Sequence, residues 1–367
     1  MNESLPANRK AENSAPSRVG VGMSGGLDSS VVAALLKEQG HEVIGLTLHM
    51  FREGSRCCSV EDIDRSRRIC DALDIPHSTV QAVDFFRSTI IEPFVKEFVR
   101  GRTPSPCVLC NQYVKFGALH DRAIQLGCSH VATGHYVRVE ERDGVYHLLR
   151  ARDLKKDQSY FLHRLSQAQL SRCLFPLESW AKTDVAAYAE RTGLPVSTSS
   201  KAESQDLCFV PDEGHAPLIE SYHPELKRRG DIVNDSGKVL GEHAGYHRYT
   251  VGQRKGLGVA SSSRLYVKRI EPETNHLVVG TREELLERKL RIDNIHWISG
   301  KPPDESFECK IRVRYRTPAV SSEVWMRSAT SASVTLAEPQ FAITPGQAAV
   351  FYDGDEVLGG GWIGGKF

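Results

Sequence analysis

The chain has 367 residues, a formal net charge of +1 and a hydrophobic fraction of 40%. At that length a single core gives way to roughly two or three domains, and near-neutrality argues against a protein that coats nucleic acid through bulk charge. No apolar run approaches the ~20 residues of a membrane-spanning helix, so no membrane association is expected. Residues 1–17 are polar, mixed in charge and without an apolar signal core, and read as a disordered tail. The nine cysteines, an odd count, then point to reduced thiols in the cytoplasm.

The first element is a strand at Val19–Val21, followed by Gly22-Met23-Ser24-Gly25-Gly26-Leu27-Asp28-Ser29-Ser30 and a helix from Val31 to Gln39 that Gly40 ends. A strand feeding a small-residue turn that opens a helix is a phosphate cradle, because backbone N–H groups and the helix N-terminus converge on an anion. A Walker A loop would need Lys-Ser or Lys-Thr after its last glycine, and none is present. Gly20-x-Gly22-x-x-Gly25 matches the dinucleotide fingerprint, but Leu46–Met50 stand where that fingerprint wants an acid. The Ser-Gly-Gly-x-Asp-Ser core resembles the pyrophosphate loop of ATP pyrophosphatases, which split ATP into AMP and pyrophosphate to activate a substrate oxygen.

Strand and helix alternate onward: a strand at His41–His49, helices at Val60–Leu73 and Phe85–Arg100, a third at Asn111–Leu126 capped by Asn111, and a strand at His130–Thr133. That pattern predicts an α/β fold, a doubly wound parallel sheet over residues 18–214, with ligands beyond the strand C-termini. Past Gly214, glycine, short β-like runs and turn pairs such as Asp353-Gly354 replace helices. They predict a small β-rich central domain at 215–281 and a C-terminal β-barrel at 282–367, with one more helix at Arg282–Lys289.

Thr103-Pro-Ser105-Pro106-Cys107-Val-Leu-Cys110-Asn carries the second chemical signal. Placed just before the predicted helix, Cys110 gains thiolate character from the helix start. A zinc ribbon would need a second spaced pair, and Cys57-Cys58 has the wrong spacing. A thioredoxin-like motif would not have an ATP loop upstream, which leaves sulfur or iron–sulfur chemistry beside an ATP site.

With these residues in hand the chain resembles the bacterial tRNA-specific 2-thiouridylases, from Arg18 to Ile363. The matching pieces are Gly22–Ser30, Gly101-Arg-Thr-Pro with Cys110-Asn and Lys115-Phe116, Ala132-Thr-Gly-His-Tyr136 and Lys156-Asp-Gln158. Further on come Ser204-Gln-Asp-Leu-Cys208-Phe, Tyr249–Gly258, Arg314-Tyr-Arg316 and Pro345-Gly-Gln347. The resemblance implies adenylation of the C2 oxygen of the wobble uridine of tRNA, then replacement of that oxygen by sulfur, with AMP and pyrophosphate released. One site must hold ATP, base and sulfur together, so proximity supplies much of the rate.

The resemblance assigns ATP binding to Gly22, Met23, Ser24, Gly25, Gly26, Leu27, Asp28 and Ser29, with Leu48 and Gly134 on the adenine side. Asp28, at the loop–helix junction, is the expected residue for placing magnesium (Mg2+). Cys110 takes the nucleophile position and Cys208 that of the persulfide carrier, and the two would close a disulfide after sulfur transfer. The implied tRNA contacts are Lys156, Asp157, Gln158, Arg314, Tyr315, Arg316 and Gln347, with His135 near the RNA and Ser105, Pro106 and Cys107 beside the target base. A cysteine desulfurase or a sulfur-carrier protein is the implied partner. Well-known family members have Asn-Pro-Asp where this chain has Ser105-Pro106-Cys107. Cys107 therefore adds a third thiol, and Cys107, Cys110 and Cys208 fit either a persulfide relay or a 4Fe–4S cluster with one open iron.

Lys310-Ile-Arg312-Val-Arg314-Tyr-Arg316 places cations at alternate positions. As a strand it would line one face with four charges able to track a phosphate backbone, while Ile311, Val313 and Tyr315 pack inward. Two other function classes compete. An ATP pyrophosphatase acting on a small substrate would survive Cys110→Ala, and a non-catalytic RNA-binding protein would lose nothing on Asp28→Ala.

Overall fold

A computed structural model describes residues 16–51, 60–197 and 207–365. The expected tail, apart from residues 16 and 17, and the pair Cys57-Cys58 lie outside the described residues.

Val19 and Val21 are fully buried in strand β1 (Arg18–Gly22). Helix α1 (Leu27–Glu38) follows, and Val31, Val32, Ala33 and Leu36 have no exposed surface. Burying each such Val or Leu contributes roughly 1.5–3 kcal/mol before entropy is counted. Then come β2 (Glu42–His49), α2 (Val60–Ala72), β3 (His77–Gln81), a helix α3 at 83–99, a helix α4 at 106–125 and β4 (His130–Ala132). A hairpin, β5 (Val137–Arg142) with β6 (Val145–Arg150), precedes β7 (Cys173–Leu174) and α5 (Lys182–Arg191). The sheet is parallel throughout, in the order β3-β2-β1-β4-β7, so the expected doubly wound sheet is present.

The middle of the chain forms a four-stranded sheet from β8 (Gly230–Val233), β9 (Val239–His243), β10 (Tyr266–Glu271) and β11 (His276–Gly280), in the order β10-β11-β8-β9. The C-terminal strands are β12 (Leu286–Trp297), β13 (Ser306–Arg312), β14 (Val320–Ser328), β15 (Ser331–Phe341), β16 (Ala348–Asp353) and β17 (Glu356–Gly365). They run β12-β15-β14-β13-β16-β17, and β12 pairing with β17 closes the barrel. The β5–β6 hairpin joins that sheet through Leu148 and Leu149 opposite Val357 and Glu356, so the first region of the chain donates an edge to the barrel. Among the described residues no helix is long and apolar enough to cross a membrane.

Three expectations are corrected. Arg282–Lys289 is not a helix: one 3-10 turn at Glu283–Leu285 leads into β12, where Leu290, Ile292, Ile295 and Trp297 are buried against the barrel interior. Pairing with β15 overrides the helical preference of that charged run. The helix placed at Asn111 begins instead at Pro106, a residue suited to the first helical position. Asn111 does not cap it; its side-chain amide donates to the Phe161 carbonyl at 3.2 Å. The basic row 310–316 is a strand only as far as Arg312, and it does not present four cations to solvent.

Candidate active site

Open parallel sheets bind ligands where the strand order reverses, beyond the C-terminal ends of the strands. Here that point lies between β1 and β4, and both turns leaving these strands carry glycines. Gly25 has φ +70°, and a Cβ there would stand 3.2 Å from the Asp62 carbonyl oxygen and 3.3 Å from Arg65 Cβ. The Ser24 amide donates to Ser29 Oγ at 3.2 Å, while the Ser29 and Ser30 hydroxyls donate to the Gly26 carbonyl at 3.1 and 2.8 Å. The hydroxyls thus close the loop on itself and leave the first-turn amides of Leu27, Asp28 and Ser29 without helical acceptors. Such a ring of amides at a helix start is an anion cradle.

Gly134 completes it from the other side. A Cβ on Gly134 would lie 2.8 Å from Asp28 Cβ and 3.2 Å from the Ser29 nitrogen, so only glycine lets the exit of β4 touch the first turn of α1. Met23 and Leu48 are buried beside the loop, with the Met23 amide donating to the Leu46 carbonyl at 2.8 Å.

The Asp28 carboxylate faces Tyr136, quoted above only as part of a motif, and Lys182, which local sequence did not single out. Lys182 Nζ donates to Oδ1 and Oδ2 at 2.8 and 2.7 Å, and the Tyr136 hydroxyl donates to Oδ1 at 2.8 Å. Lys182 opens α5, and nothing near it in sequence announces a partner at Asp28. Asp28, the residue expected to place magnesium, is bonded here by an ammonium and a phenol hydroxyl.

The thiols gather on the neighbouring side. Helix α4 packs along the sheet, with Leu119 beneath Gly22, and Cys110 is buried among Leu46, Leu48, Met50 and Val114. Cys208 and Phe209 pack against this same cluster. Because α4 begins at Pro106, Cys107 sits in its first turn and Cys110 in its second. The helix-start effect fades after one turn, so it acts on Cys107 rather than on Cys110. Both Cys107 and Cys208 are partly exposed, and neither they nor Cys110 are disulfide-bonded. Among the described residues no group of three His, Cys, Asp or Glu side chains is arranged to hold a metal ion. The three thiols do not fit a cluster as they stand.

The other cysteines are core atoms. Burial pushes the thiols of Cys70 and Cys309 up to about 12 and raises those of Cys128 and Cys173 as well. These four stay protonated and unreactive near neutral pH.

Residues expected to meet RNA divide into two groups. Ser105, Cys107, Lys156, Gln158, Arg314 and Tyr315 are partly exposed and Arg316 is exposed, whereas Pro106 is buried. Burial, with a smaller contribution from Lys115, holds His135 well below the usual histidine value; its ring lies 5.7 Å from that of Phe116 and 6.4 Å from that of Phe175. Its neutral ring bonds Thr133 Oγ1 through Nδ1 at 2.8 Å. The Asp157 side chain has no exposed surface: it takes the Ala151 and Ser159 amides at 3.2 Å and pairs with Arg150 at 3.3 Å and Arg312 at 3.6 Å. Arg314 donates inward to the Val251 and Ala342 carbonyls and to Thr344 Oγ1. At Arg312 and Arg314 the face opposite the barrel interior is therefore covered by protein partners. Of the four aligned cations, Lys310 and Arg316 remain exposed.

Comparison with known proteins matches this arrangement along its length. A family model described as the tRNA methyl transferase HUP domain covers residues 17–212. A PRC-barrel domain of the same family covers 218–281, and an aminomethyltransferase beta-barrel domain covers 287–363. The chain is 46% identical over 357 residues to a tRNA-specific 2-thiouridylase MnmA of Geobacter metallireducens, spanning 94% of this chain and 96% of that protein. It is 44% identical to the same-named protein of Geotalea uraniireducens, over 96% of each. The chain belongs to the tRNA-specific 2-thiouridylase family. In this 2-thiouridylase-family chain the loop and the Asp28–Lys182 pair lie at the switch point of the HUP sheet, with Cys110 and Cys208 in the apolar cluster beside β2.

Proposed function

We propose that this chain is an ATP-dependent tRNA-uridine 2-sulfurtransferase that thiolates the wobble uridine. One observation carries the reading: Cys110 and the segment of Cys208 share an apolar cluster with the end of β2, beside the glycine loop at the start of α1. A phosphate cradle and two thiols placed together suit activation of an oxygen followed by its displacement by sulfur.

In this mechanism the amides of Gly25–Ser29 hold the ATP phosphates, and Lys182 supplies positive charge at the same place. Magnesium, when bound, would neutralise phosphate charge, and Asp28 is the residue expected to place it. The C2 oxygen of uridine attacks the α-phosphorus, pyrophosphate leaves, and the oxygen becomes part of an AMP leaving group. Cys208 carries a persulfide received from a cysteine desulfurase or a sulfur-carrier protein. Its terminal sulfur attacks C2 and AMP departs. The Cys110 thiolate then attacks the Cys208 sulfur, the S–S bond breaks with its electron pair passing to the sulfur on the base, and a Cys110–Cys208 disulfide forms. An external thiol reduces that disulfide for the next turnover. The buried surroundings of Cys110 exclude water, which would otherwise hydrolyse the adenylated base.

The relay is favoured over a cluster because the three thiols do not converge as metal ligands in the described residues. The test is mass spectrometry of tRNA from cells lacking this gene, complemented with wild type, Cys110→Ser or Cys208→Ser. Only wild type should restore 2-thiouridine. Restoration by either variant removes the relay, and unchanged 2-thiouridine in the deletion strain removes the function.

A further inference from the structure

The turn that launches the thiol helix is held from three sides. On the side of the first domain, Arg102 Nε pairs with Glu97 at 2.8 Å. On the middle domain's side, Gly101 has φ +69°, and a Cβ there would stand 3.0 Å from Ile270 Cγ2 and from Pro272 Cγ. The barrel contributes most. The Thr103 amide donates to the Pro345 carbonyl at 3.0 Å, and Gln347 Nε2 donates to the Thr103 and Pro104 carbonyls at 3.0 and 3.1 Å. Gly346, at φ +91°, lets the two loops touch, since a Cβ there would be 3.0 Å from the Thr103 oxygen.

Two carbonyl oxygens converging on one side-chain nitrogen can be satisfied only by a group with two N–H donors, which the Gln347 amide supplies. Ser105, the helix cap, and Cys107 follow immediately. We propose that Gln347 and Gly346 position the start of α4, so that the barrel sets where Cys107 and Cys110 stand. Gln347 is a positioning residue here, acting through the Thr103–Pro104 turn rather than by touching the reacting atoms. This coupling rests on the sulfurtransferase reading for its catalytic consequence but not for its structural one. It gives the barrel a second task besides holding RNA: with the barrel loop displaced, the thiol helix loses its anchor.

The test uses the full chain with Gln347→Glu, which keeps size but sets a carboxylate against two carbonyls, and Gly346→Ala, which pushes the loops apart without touching the amide. Two readouts are followed: alkylation of Cys107 mapped by peptide mass spectrometry, and thiolation kinetics with tRNA varied. Both variants should alkylate Cys107 at least about threefold faster, because local opening of the first turn becomes easier. Both should lower kcat about tenfold, since small misplacement of a reacting group is costly. KM for tRNA should stay within about twofold, the pattern of an interaction felt in the reacting state. A raised KM with unchanged kcat and unchanged alkylation would make Gln347 a plain RNA contact and overturn the proposal. Unchanged values throughout would overturn it too. Should one variant fail to melt cooperatively, the other decides. If the wild type makes no 2-thiouridine, the functional reading falls while alkylation still decides the positioning.

Discussion

Lys182 places its ammonium 2.7 and 2.8 Å from the two oxygens of Asp28, a residue 154 positions earlier in the chain. Both side chains are about a quarter exposed, so the pair sits at the rim of the cradle rather than inside the core. In the function proposed above this ammonium meets the nucleotide phosphates, while Asp28 fixes its position. Lys182→Met should slow pyrophosphate release by roughly a hundredfold, within the range for loss of one transition-state contact, with tRNA affinity unchanged. Filter binding and a pyrophosphate assay check this; full activity in Lys182→Met would leave the pair a purely structural bridge.

Glycine contacts predict where bulk is forbidden. Gly134→Ala would set a methyl group 2.8 Å from Asp28 Cβ, forcing apart the exit of β4 and the first turn of α1. ATP affinity should fall at least about tenfold, as expected when a cradle loses its alignment, and calorimetric titration with a non-hydrolysable analogue measures it. An unaltered affinity would show that the exit of β4 lies away from the nucleotide.

The barrel arginines separate by burial. Arg312 pairs with the fully buried Asp157 and lies over the Tyr352 ring at 5.6 Å. Arg312→Ala should therefore destabilise the fold by about 3 kcal/mol, the scale for stranding a buried charge, seen as a lower urea midpoint. Arg316 is exposed, and Arg316→Ala should flatten the salt dependence of tRNA binding by roughly 0.7–0.9 log units if it meets one phosphate. A full salt slope would remove Arg316 from the RNA surface.

Acid sensitivity follows from His163. Its ring is enclosed, bonds the Tyr160 carbonyl through Nδ1 at 2.7 Å, and burial lowers its pKa to about 3. The unfolded chain takes up a proton near pH 6.5 that the folded chain refuses, so stability is full above that value. It is lost progressively as pH falls from about 6.5 toward 3. His77, His130, His215, His243, His247 and His296 are lowered by burial in the same direction. Melting temperature should drop steeply from pH 6.5 to 5, and His163→Gln should make that slope shallower even if the variant melts lower at pH 8. An identical slope would place the acid response elsewhere.

Local sequence carried the glycine loop, because a strand, a small-residue turn and a helix start are neighbours in the chain and their chemistry needs no distant partner. It also carried the parallel sheet, through alternating apolar strands and amphipathic helices, and the motifs that mark the 2-thiouridylase family. Where it went astray, the deciding forces came from far away. Arg282–Lys289 has helix-forming composition, yet β15 draws Leu286, Glu287 and Lys289 into a strand. Asn111 looks like a cap until the Phe161 carbonyl, 50 residues later, takes its amide. Alternation of Arg312 and Arg314 promised a solvated basic face, but side-chain period alone cannot say what covers a face. Here Asp157 and the Val251 and Ala342 carbonyls cover it. The meeting of Asp28 with Lys182, and of Gln347 with the turn before Cys107, left no trace in local pattern. Each is a contact between single polar groups on separate elements, and only the packed chain brings them within hydrogen-bond reach.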